Sequence, residues 1–299
     1  MPQTRVAVVG SANMDLVGTA SALPRPWETV LGSDFVMLPG GKGANQAVAA
    51  VRAGASGVFL GAIGSDAFGV TLKARITAAG VDTGHLRVVY GPSGVALVMV
   101  GGAGEHAILV TPGANDAFTG LTEGELTAVR KADVLVAQLE VPVETVTAAA
   151  LAARSAGTRV VLNAAPARPV PAELLAATDL LVVNETEAQA LTGRGSDEPA
   201  ALLELVPRAV LTLGGAGAWY VARDRPAVHV PAVKVDVVDS TAAGDAFTAA
   251  LAVAWGEGRD LVEAVHWAAA AGAACVRKLG ASVALPLRAE IDELFSRPA

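Results

Sequence analysis

Residues 239–247 read DSTAAGDAF, a run of small residues that leads into a segment of helical period, Asp245–Trp255. The first turn of a helix has free N–H groups and the positive end of the helix dipole, so it can hold phosphate oxygens. The run 242–244 leaves its backbone amides unshielded, and Asp245 could accept a proton from an attacking hydroxyl. Aspartate is also a common helix cap. From this stretch alone, a cap and a catalytic site both remain open.

Outward from this stretch, short apolar runs alternate with longer, alanine-rich segments of helical period. The predicted strands are Val6–Val9, Val58–Ile63, Val134–Gln138, Arg159–Asn163, Leu180–Val183 and Ala209–Leu213. The predicted helices are Ala44–Ala53, Asp66–Ala79, Val143–Ala156, Glu185–Leu191, Pro199–Leu205, Asp245–Trp255, Leu261–Val276 and Arg288–Phe295. Near-continuous apolar strands interleaved with helices predict an α/β protein with a mostly parallel sheet covered on both faces.

Two stretches break this alternation. Residues 13–37 carry Pro24, Pro26 and Gly32 among short strand-like pieces, and Val95–Val100 with His106–Val110 predicts a hairpin across residues 101–104. Together they could form a small sheet outside the main one. Such a sheet could be a lid over a site, or an insertion that extends the fold or pairs subunits.

Composition excludes several classes of protein. The chain has 299 residues, 53% of them hydrophobic and 17% charged, which argues against disorder. Its mean hydropathy is +0.48, but no run approaches the ~20 apolar residues of a spanning helix, so we expect no membrane partner. The net charge of −7 and the lack of a long basic run argue against nucleic acid. One cysteine, Cys275, excludes an internal disulfide framework, and with no signal peptide recognised we expect a cytoplasmic location.

Two further motifs lie in the first 50 residues. GSANMD at 10–15 places Asn13 and Asp15 two residues apart, so both side chains face one way on an extended segment and suit adjacent hydroxyls. A turn with Asx hydrogen bonds is the alternative. In GGKGANQAVAA at 40–50, the glycines could let the backbone approach a ligand, and Lys42 and Asn45 supply donors. A flexible turn before a helix is the alternative.

The second half of the chain carries two weaker motifs. NETEA at 184–188 puts Asn184 and Glu187 on one face of a helix. TLGGAGAWYV at 212–221 predicts a strand, a glycine-rich turn and another strand, for which a simple hairpin is the alternative.

Taken together, these motifs resemble those of the ribokinase-like (PfkB-type) carbohydrate kinases along essentially the whole chain. Residues 40–64 fit the first signature of that family, and residues 239–250 fit the second. The resemblance implies a three-layer α/β/α fold with a mostly parallel central sheet and a small β-sheet lid. It implies a single kinase domain over 1–299, with lid segments at about 13–37 and 95–110.

The resemblance also assigns roles to individual residues. It implies that Asp245 is the catalytic base and that Ala242, Ala243 and Gly244 form an anion hole. The positions that match sugar ligands are Asn13, Asp15, Gly41, Lys42, Asn45 and Glu140, with Asp245. The positions that match the nucleotide and Mg²⁺ neighbourhood are Asn184, Glu187, Thr212, Gly214 and Gly244.

A monovalent-cation site, K⁺ in the family, is implied beside the anion hole. The matching positions are Asp239, Thr241, Cys275, Lys278 and Gly280. The chain departs from the family at Ala284, where a serine is usual. The resemblance further implies a homodimer through the lid.

The implied reaction is phosphoryl transfer from ATP to the 5-hydroxyl of D-ribose, giving ribose 5-phosphate. A sugar hydroxyl is a far weaker acid than an aspartic acid of pKa ~3.9, so proton transfer to Asp245 must accompany attack. The alternatives are a fructokinase or another sugar or deoxysugar kinase of the family, and a non-catalytic sugar or nucleotide sensor. GGKGAN with Lys42 favours ribose, and the intact Asp245 argues against a sensor.

Overall fold

The computed structural model describes residues 3–102 and 105–297. The strands are β1 (Arg5–Val9), β2 (Asn13–Ala20), β3 (Gly32–Gly40), β4 (Ser56–Gly64), β5 (Leu86–Val89), β6 (Gly94–Val100), β7 (His106–Thr111), β8 (Val134–Ala137), β9 (Arg159–Asn163), β10 (Leu180–Asn184), β11 (Arg208–Thr212), β12 (Ala218–Ala222) and β13 (Arg225–Val230). The α-helices are α1 (Lys42–Arg52), α2 (Ala67–Ala78), α3 (Glu123–Lys131), α4 (Val143–Ala156), α5 (Ala172–Ala177), α6 (Glu185–Thr192), α7 (Ala243–Gly256), α8 (Leu261–Cys275) and α9 (Arg288–Phe295).

The main sheet has nine strands in the order β13-β12-β11-β10-β9-β8-β1-β4-β5. From β11 to β5 every neighbouring pair is parallel, whereas β12 and β13 add an antiparallel edge. The prediction of a mostly parallel sheet is confirmed. Because side chains alternate between the faces of a strand, a strand covered on both faces must be apolar at every position.

Strand β1 shows this pattern directly. Val6 and Val8 belong to one buried cluster, and Ala7 and Val9 belong to the cluster on the opposite face. Helices α1, α2, α7, α8 and α9 contribute to the first cluster. Helices α3 to α6 contribute to the second. The result is the expected three-layer α/β/α arrangement.

Helices α7 and α8 are alanine-rich and almost wholly buried. Their small side chains let two helices approach each other and the sheet closely, and this accounts for much of the positive mean hydropathy. Among the helices that the structure describes, none combines the length and the apolar character needed to cross a bilayer.

A second sheet has four strands in the order β3-β2-β6-β7, and we call it the lid. Strands β6 and β7 form the predicted hairpin, although residues 103 and 104 of its turn lie outside the described residues. The first lid segment extends to Gly40 rather than ending at residue 37. The register pairs Asn13 with Gly40 on one side and with Gly94 on the other, so three lid strands meet at the root of the lid.

The structure corrects several element assignments. Residues 199–204 form a 3₁₀ helix and not the predicted α-helix, which suits so short a segment. Helix α3 was not predicted, although its capping box, Thr122 with Glu125, is a recognisable start signal. Strand β5 is a four-residue edge strand, too short to give a clear pattern. Helix α7 begins at Ala243, two residues before the predicted start.

Candidate active site

Several predicted site residues lie at the carboxyl ends of the parallel strands, along one edge of the main sheet. Asn13 follows β1, Glu140 follows β8, Asn184 ends β10 and Thr212 ends β11. Since the carboxyl ends of parallel strands share an edge, ligands of open α/β sheets bind there. Residues that are distant in sequence therefore converge on this edge.

Asp245 lies in the first turn of α7 and is 7% exposed. Its Oδ2 accepts a hydrogen bond from Asn45 Nδ2 at 3.0 Å, and its Oδ1 accepts one from Gln46 Nε2 at 2.9 Å. Both donors belong to the first two turns of α1. The two conspicuous motifs of the sequence thus meet side chain to side chain, about 200 residues apart along the chain.

The orientation of Gln46 is set by a chain of buried amides. Its Oε1 accepts from Gln138 Nε2 at 2.5 Å, and its Nε2 also donates to Asn163 Oδ1 at 3.0 Å. Asn163 in turn donates to the carbonyl of Val182 at 3.1 Å. Gln46, Gln138 and Asn163 were not predicted as site residues. The signal available was their polarity at the ends of otherwise apolar strands and within GGKGANQ.

The charges around Asp245 oppose one another. Burial raises the pKa of Asp245, although Lys42 and the amides of Asn45 and Gln46 work in the other direction. Burial disfavours the charge of Lys42, but the fields of Asp245, Glu140 and Glu187 outweigh it and raise the lysine pKa. A cationic Lys42 thus lies within a set of carboxylates.

The glycines at the start of α1 serve close packing of backbone against backbone. Gly41 has φ +91°, and a Cβ there would lie 2.6 Å from the backbone nitrogen of Asn13. A Cβ on Gly43 would lie 2.6 Å from Ser11 N. At both glycines the close neighbour of an added side chain is the chain segment after β1, and Gly41 as a sugar ligand stays a prediction. This packing holds α1 against the end of β1.

Glu140 joins the same two segments. Its Oε2 accepts from Ser11 Oγ at 2.5 Å and from Lys42 N, at the start of α1, at 3.1 Å. A carboxylate suits this position, since it meets a free N–H and the positive end of the helix. Glu140 stays half-buried at the edge of the site.

Asn13 and Asp15 alternate with Met14 along β2, so they lie on one face of the lid at its root. Burial, followed by the charges of Glu140 and Asp245, raises the pKa of Asp15 to about 7. Asp15 also lies directly against Gly40, where any side chain would collide with its carboxylate. The lack of a side chain at Gly40 therefore leaves space for the Asp15 carboxylate.

The first turn of α7 borders a large cavity. Ala242 has the left-handed φ of 61°, and a Cβ on Gly244 would meet open space. Ala243 and Gly244 line a mostly apolar cavity of about 510 Å³ together with Thr212, Gly214 and Phe247. The cavity therefore joins the start of α7 to the end of β11.

Asn184 and Glu187 cap α6. Asn184 Oδ1 accepts from Glu187 N and Glu187 Oε2 accepts from Asn184 N, both at 2.8 Å. Burial raises the pKa of Glu187, which interacts electrostatically with Lys42 and Asp245. The structure thus shows a structural role for the pair and places Glu187 near the site.

The residues predicted to hold the monovalent cation lie on two neighbouring segments, 239–241 and 275–280. Asp239 accepts from the Thr241 hydroxyl at 2.6 Å and from the backbone N–H groups of Thr241 and Gly280, both at 2.9 Å. Burial raises the pKa of Asp239, but these hydrogen bonds outweigh it and hold the pKa below the usual range. The Cys275 thiol donates to the Thr241 carbonyl at 3.6 Å. Lys278 turns to Glu290, with 2.5 Å between Nζ and Oε1. Ala284, the departure from the family pattern, is fully buried in this region.

Comparisons with known proteins agree along nearly the whole chain. The model of the pfkB family carbohydrate kinases matches residues 3–288. Ribokinase of Bacillus subtilis is 38% identical over 97% of this chain and 99% of its own length. Ribokinase of Haemophilus influenzae is 36% identical over 97% and 98%.

Solved structures agree with this. The structure of Arabidopsis thaliana ribokinase complexed with ribose and ATP has a TM-score of 0.93 and 32% identity, covering 100% of both chains. With the fold, the family model and the full-length relatives in agreement, the chain belongs to the pfkB family of carbohydrate kinases, which are phosphotransferases with an alcohol acceptor.

Proposed function

We propose that this chain is a ribokinase that transfers the γ-phosphoryl group of ATP to the 5-hydroxyl of D-ribose. The observation that carries the proposal is the position of α7. Its Asp245 carboxylate lies beside a set of side chains that we call the polar cluster: Asn13, Asp15, Lys42, Asn45 and Glu140. Its Ala243 and Gly244 line the large cavity. A phosphoryl donor in that cavity and an acceptor in the polar cluster would meet at Asp245. The full-length similarity to ribokinases favours ribose as the acceptor.

The polar cluster supplies complementary groups for sugar hydroxyls. Asp15 and Glu140 are acceptors, whereas Asn13, Lys42 and Asn45 carry donors. The Oδ1 of Asn45 is buried and has no hydrogen-bond partner among the described residues. A sugar hydroxyl would satisfy it.

The proposed chemistry depends on alignment more than on a strong base. Asp245 accepts the proton of the 5-hydroxyl as the hydroxyl attacks, and the N–H groups at the start of α7, with Ala242 in the left-handed conformation, face the developing negative charge. Lys42 adds a positive charge beside Asp245. Positioning and electrostatic stabilisation supply most of the rate in phosphoryl transfer.

The nucleotide is assigned to the cavity of about 510 Å³, whose apolar walls suit an adenine ring. Thr212 and Gly214 line it, and Asn184 and Glu187 lie beyond the strand ends beside it. Mg²⁺ prefers oxygen ligands and usually keeps phosphate and water among them. Glu187 is the carboxylate that fits its neighbourhood, and bound Mg²⁺ would neutralise phosphate charge.

Backbone carbonyl oxygens are better candidates than the predicted side chains as ligands of the monovalent cation. The Asp239 carboxylate and the Lys278 amine are engaged within the protein, and burial raises the pKa of Cys275 to about 12, which keeps the thiol protonated. Carbonyl oxygens of the loops around Thr241 and Gly280 are the oxygen donors that remain. We expect K⁺ to raise the rate in a Na⁺-free buffer, measured against tetramethylammonium. Equal rates with both salts would contradict the site.

The exposed face of the lid supports a homodimer. Phe35, Met37, Leu97, Met99 and Leu109 lie on one face of the lid and are 61, 54, 42, 43 and 62% exposed. An apolar patch of this kind marks an interaction surface. The partner proposed is a second copy of the chain, whose lid has the same apolar face.

The test of the catalytic assignment is Asp245→Asn. We expect turnover with ribose and ATP to fall by about 10³-fold or more, because the base is lost. Ribose binding by calorimetry should stay within about tenfold, since an amide keeps the shape of the side chain. Asp224→Asn, an exposed aspartate in the β12–β13 turn, is the matched control and should keep full activity. Near-normal turnover of Asp245→Asn would refute the assignment.

The acceptor is tested with a panel of sugars. Coupled ADP release is measured for ribose, deoxyribose, fructose and common nucleosides, with ribose expected to give the highest kcat/KM. If fructose or deoxyribose were the best substrate, the assignment of ribose as acceptor would be wrong, but the assignment of kinase activity would stand. No ADP release with any of them would favour a non-catalytic sensor.

A further inference from the structure

We infer that Asn115 is a positioning residue, which turns the amide of Asn13 so that Asn13 offers an N–H donor to the sugar. The inference rests on the proposed function, because it concerns the same sugar site. Asn115 was not among the predicted site residues. It lies at the end of the 3₁₀ helix Gly113–Asn115, directly after lid strand β7, and is 1% exposed.

Asn115 clamps the chain where it enters the lid. Its Oδ1 accepts from Ala12 N at 2.9 Å, and its Nδ2 lies 3.3 Å from Ala12 O. The same Nδ2 donates to Asn13 Oδ1 at 2.7 Å. Three contacts from one buried side chain thus hold two consecutive residues.

The backbone N–H of Ala12 fixes the orientation of the side-chain amides of both Asn115 and Asn13. Ala12 N can only donate, so the Asn115 atom that faces it must be the oxygen. Nδ2 of Asn115 then points to Asn13, and the Asn13 atom that receives it must also be an oxygen. Asn13 Nδ2 is left with no acceptor among the described residues, and it is not one of the fully buried atoms.

The resulting pattern suits a sugar. Asn13 presents a donor and Asp15, two residues along the same face of β2, presents a carboxylate acceptor. A hydroxyl can accept from the first while its neighbour donates to the second. With the Asn13 amide reversed, two acceptors would stand side by side and a hydroxyl oxygen would have no donor there.

The same contact links the site to the root of the lid. A Cβ on Gly94, the first residue of β6, would collide with both Asn115 Nδ2 and Asn13 Oδ1. Gly113 has φ +50°, and a Cβ there would lie 2.5 Å from the carbonyl oxygen of Ser93. Asn115 therefore sits where strands entering and leaving the lid converge, and the Asn13 amide is set by that junction.

A double-mutant cycle tests the inference, with Asn13→Ala, Asn115→Ala and the double variant. The sugar panel on the wild type comes first, and the cycle uses the sugar it phosphorylates best. For Asn115→Ala we expect the sugar KM to rise about 5- to 10-fold, the effect of one hydrogen bond, with the KM for ATP within about twofold. The double variant should be no more than about twofold worse than Asn13→Ala, because Asn115 acts through Asn13.

A second variant keeps the test decisive if Asn115→Ala does not fold. Asn13→Asp retains an acceptor for Asn115 Nδ2 but replaces the outward N–H with oxygen. We expect its sugar KM to rise about tenfold or more with the KM for ATP within about twofold. The melting temperature should fall, because a second buried carboxylate lies near Asp15, so the kinetics are measured on the folded variant. The inference would be overturned if the increases in sugar KM of the two single variants multiplied in the double variant. An unchanged sugar KM in a folded Asn115→Ala or Asn13→Asp variant would also overturn it. A wild type that phosphorylates no sugar would instead refute the proposed function.

Discussion

At the residue scale, Asp15 is a proposed sugar ligand whose buried carboxylate costs stability. Its carboxylate is buried beside Glu140 and Asp245, and these surroundings raise its pKa from 3.8 to about 7. A carboxyl whose pKa rises on folding holds its proton more tightly in the folded state. The folded state is therefore penalised as the pH climbs from about 4 to above 7. A bound sugar hydroxyl would donate to the ionised form.

We predict that Asp15→Asn stabilises the protein and weakens the sugar complex. The gain should be about 2 to 4 kcal/mol at pH 8 and fall by about half or more at pH 5, where Asp15 is largely protonated in the wild type. Urea unfolding at both values of pH measures this. The sugar KM should rise about tenfold or more with the loss of a charged acceptor.

Asp34→Asn is the matched control, because Asp34 is an exposed aspartate on the neighbouring lid strand β3. It should change stability little at either pH. A gain for Asp15→Asn that is equal at pH 5 and pH 8, or no gain, would contradict the buried-charge explanation.

At the scale of elements, the first turns of α1 and α7 use glycine for opposite reasons. Gly43 packs against the backbone of Gly10 and Ser11, where a Cβ would lie 2.6 Å from both Gly10 C and Ser11 N. Gly244 lines the cavity of about 510 Å³ that we propose for the nucleotide, and a Cβ there would meet no protein atom within 4 Å. One glycine is needed for the fold, and the other leaves space for a ligand.

We predict opposite effects for the two alanine substitutions. Gly43→Ala should destabilise the protein by about 1 to 3 kcal/mol, because backbone cannot move aside easily. Gly244→Ala should leave stability unchanged or raise it by up to about 1 kcal/mol, since alanine favours a helix.

The variant that keeps its stability, Gly244→Ala, should lose activity. Gly244→Ala should lower kcat/KM for ATP about tenfold or more, because its methyl group narrows the approach of the phosphates to the N–H groups of α7. Thermal unfolding and steady-state kinetics on both variants check this. Full activity of a folded Gly244→Ala variant would contradict the anion hole.

At the scale of the whole molecule, the net charge and the lid bear on binding. The protein carries a net charge of −7, yet the proposed phosphoryl donor, ATP, is an anion. Positive potential for this anion is supplied locally, by the N–H groups at the start of α7 and by Lys42. The lid extends from the site with an exposed apolar face, which no other described element covers.

We predict that charges on the apolar lid face separate a dimer. Leu97 and Leu109 are paired directly across β6 and β7, and Leu97→Asp with Leu109→Asp should yield a monomer by light scattering where the wild type is a dimer. Val70→Asp is the matched control, since Val70 is 73% exposed on α2, away from the lid. A wild-type monomer, or a double variant that remains a dimer, would contradict the proposal.

Much of the fold followed from local pattern. Strand β8, and β1 after its exposed first residue Arg5, are apolar at every position because both of their faces are covered, and the sequence shows this pattern without any tertiary contact. Helices α4 and α9 occur at their predicted bounds. Short or half-exposed elements such as α5 and β5 were missed, since a few residues carry too little periodicity.

The family, the order of the elements and the residue types of the candidate site can be predicted from the sequence, because these depend on local motifs and hydrophobic period. Which side chains meet depends on the three-dimensional fold. The contact of Asp245 with Asn45 and Gln46, and the clamp of Asn115 on Asn13, join segments about 200 and 100 residues apart. No local pattern encodes such pairs, because their distance depends on where the parallel strands and the lid root bring the chain together.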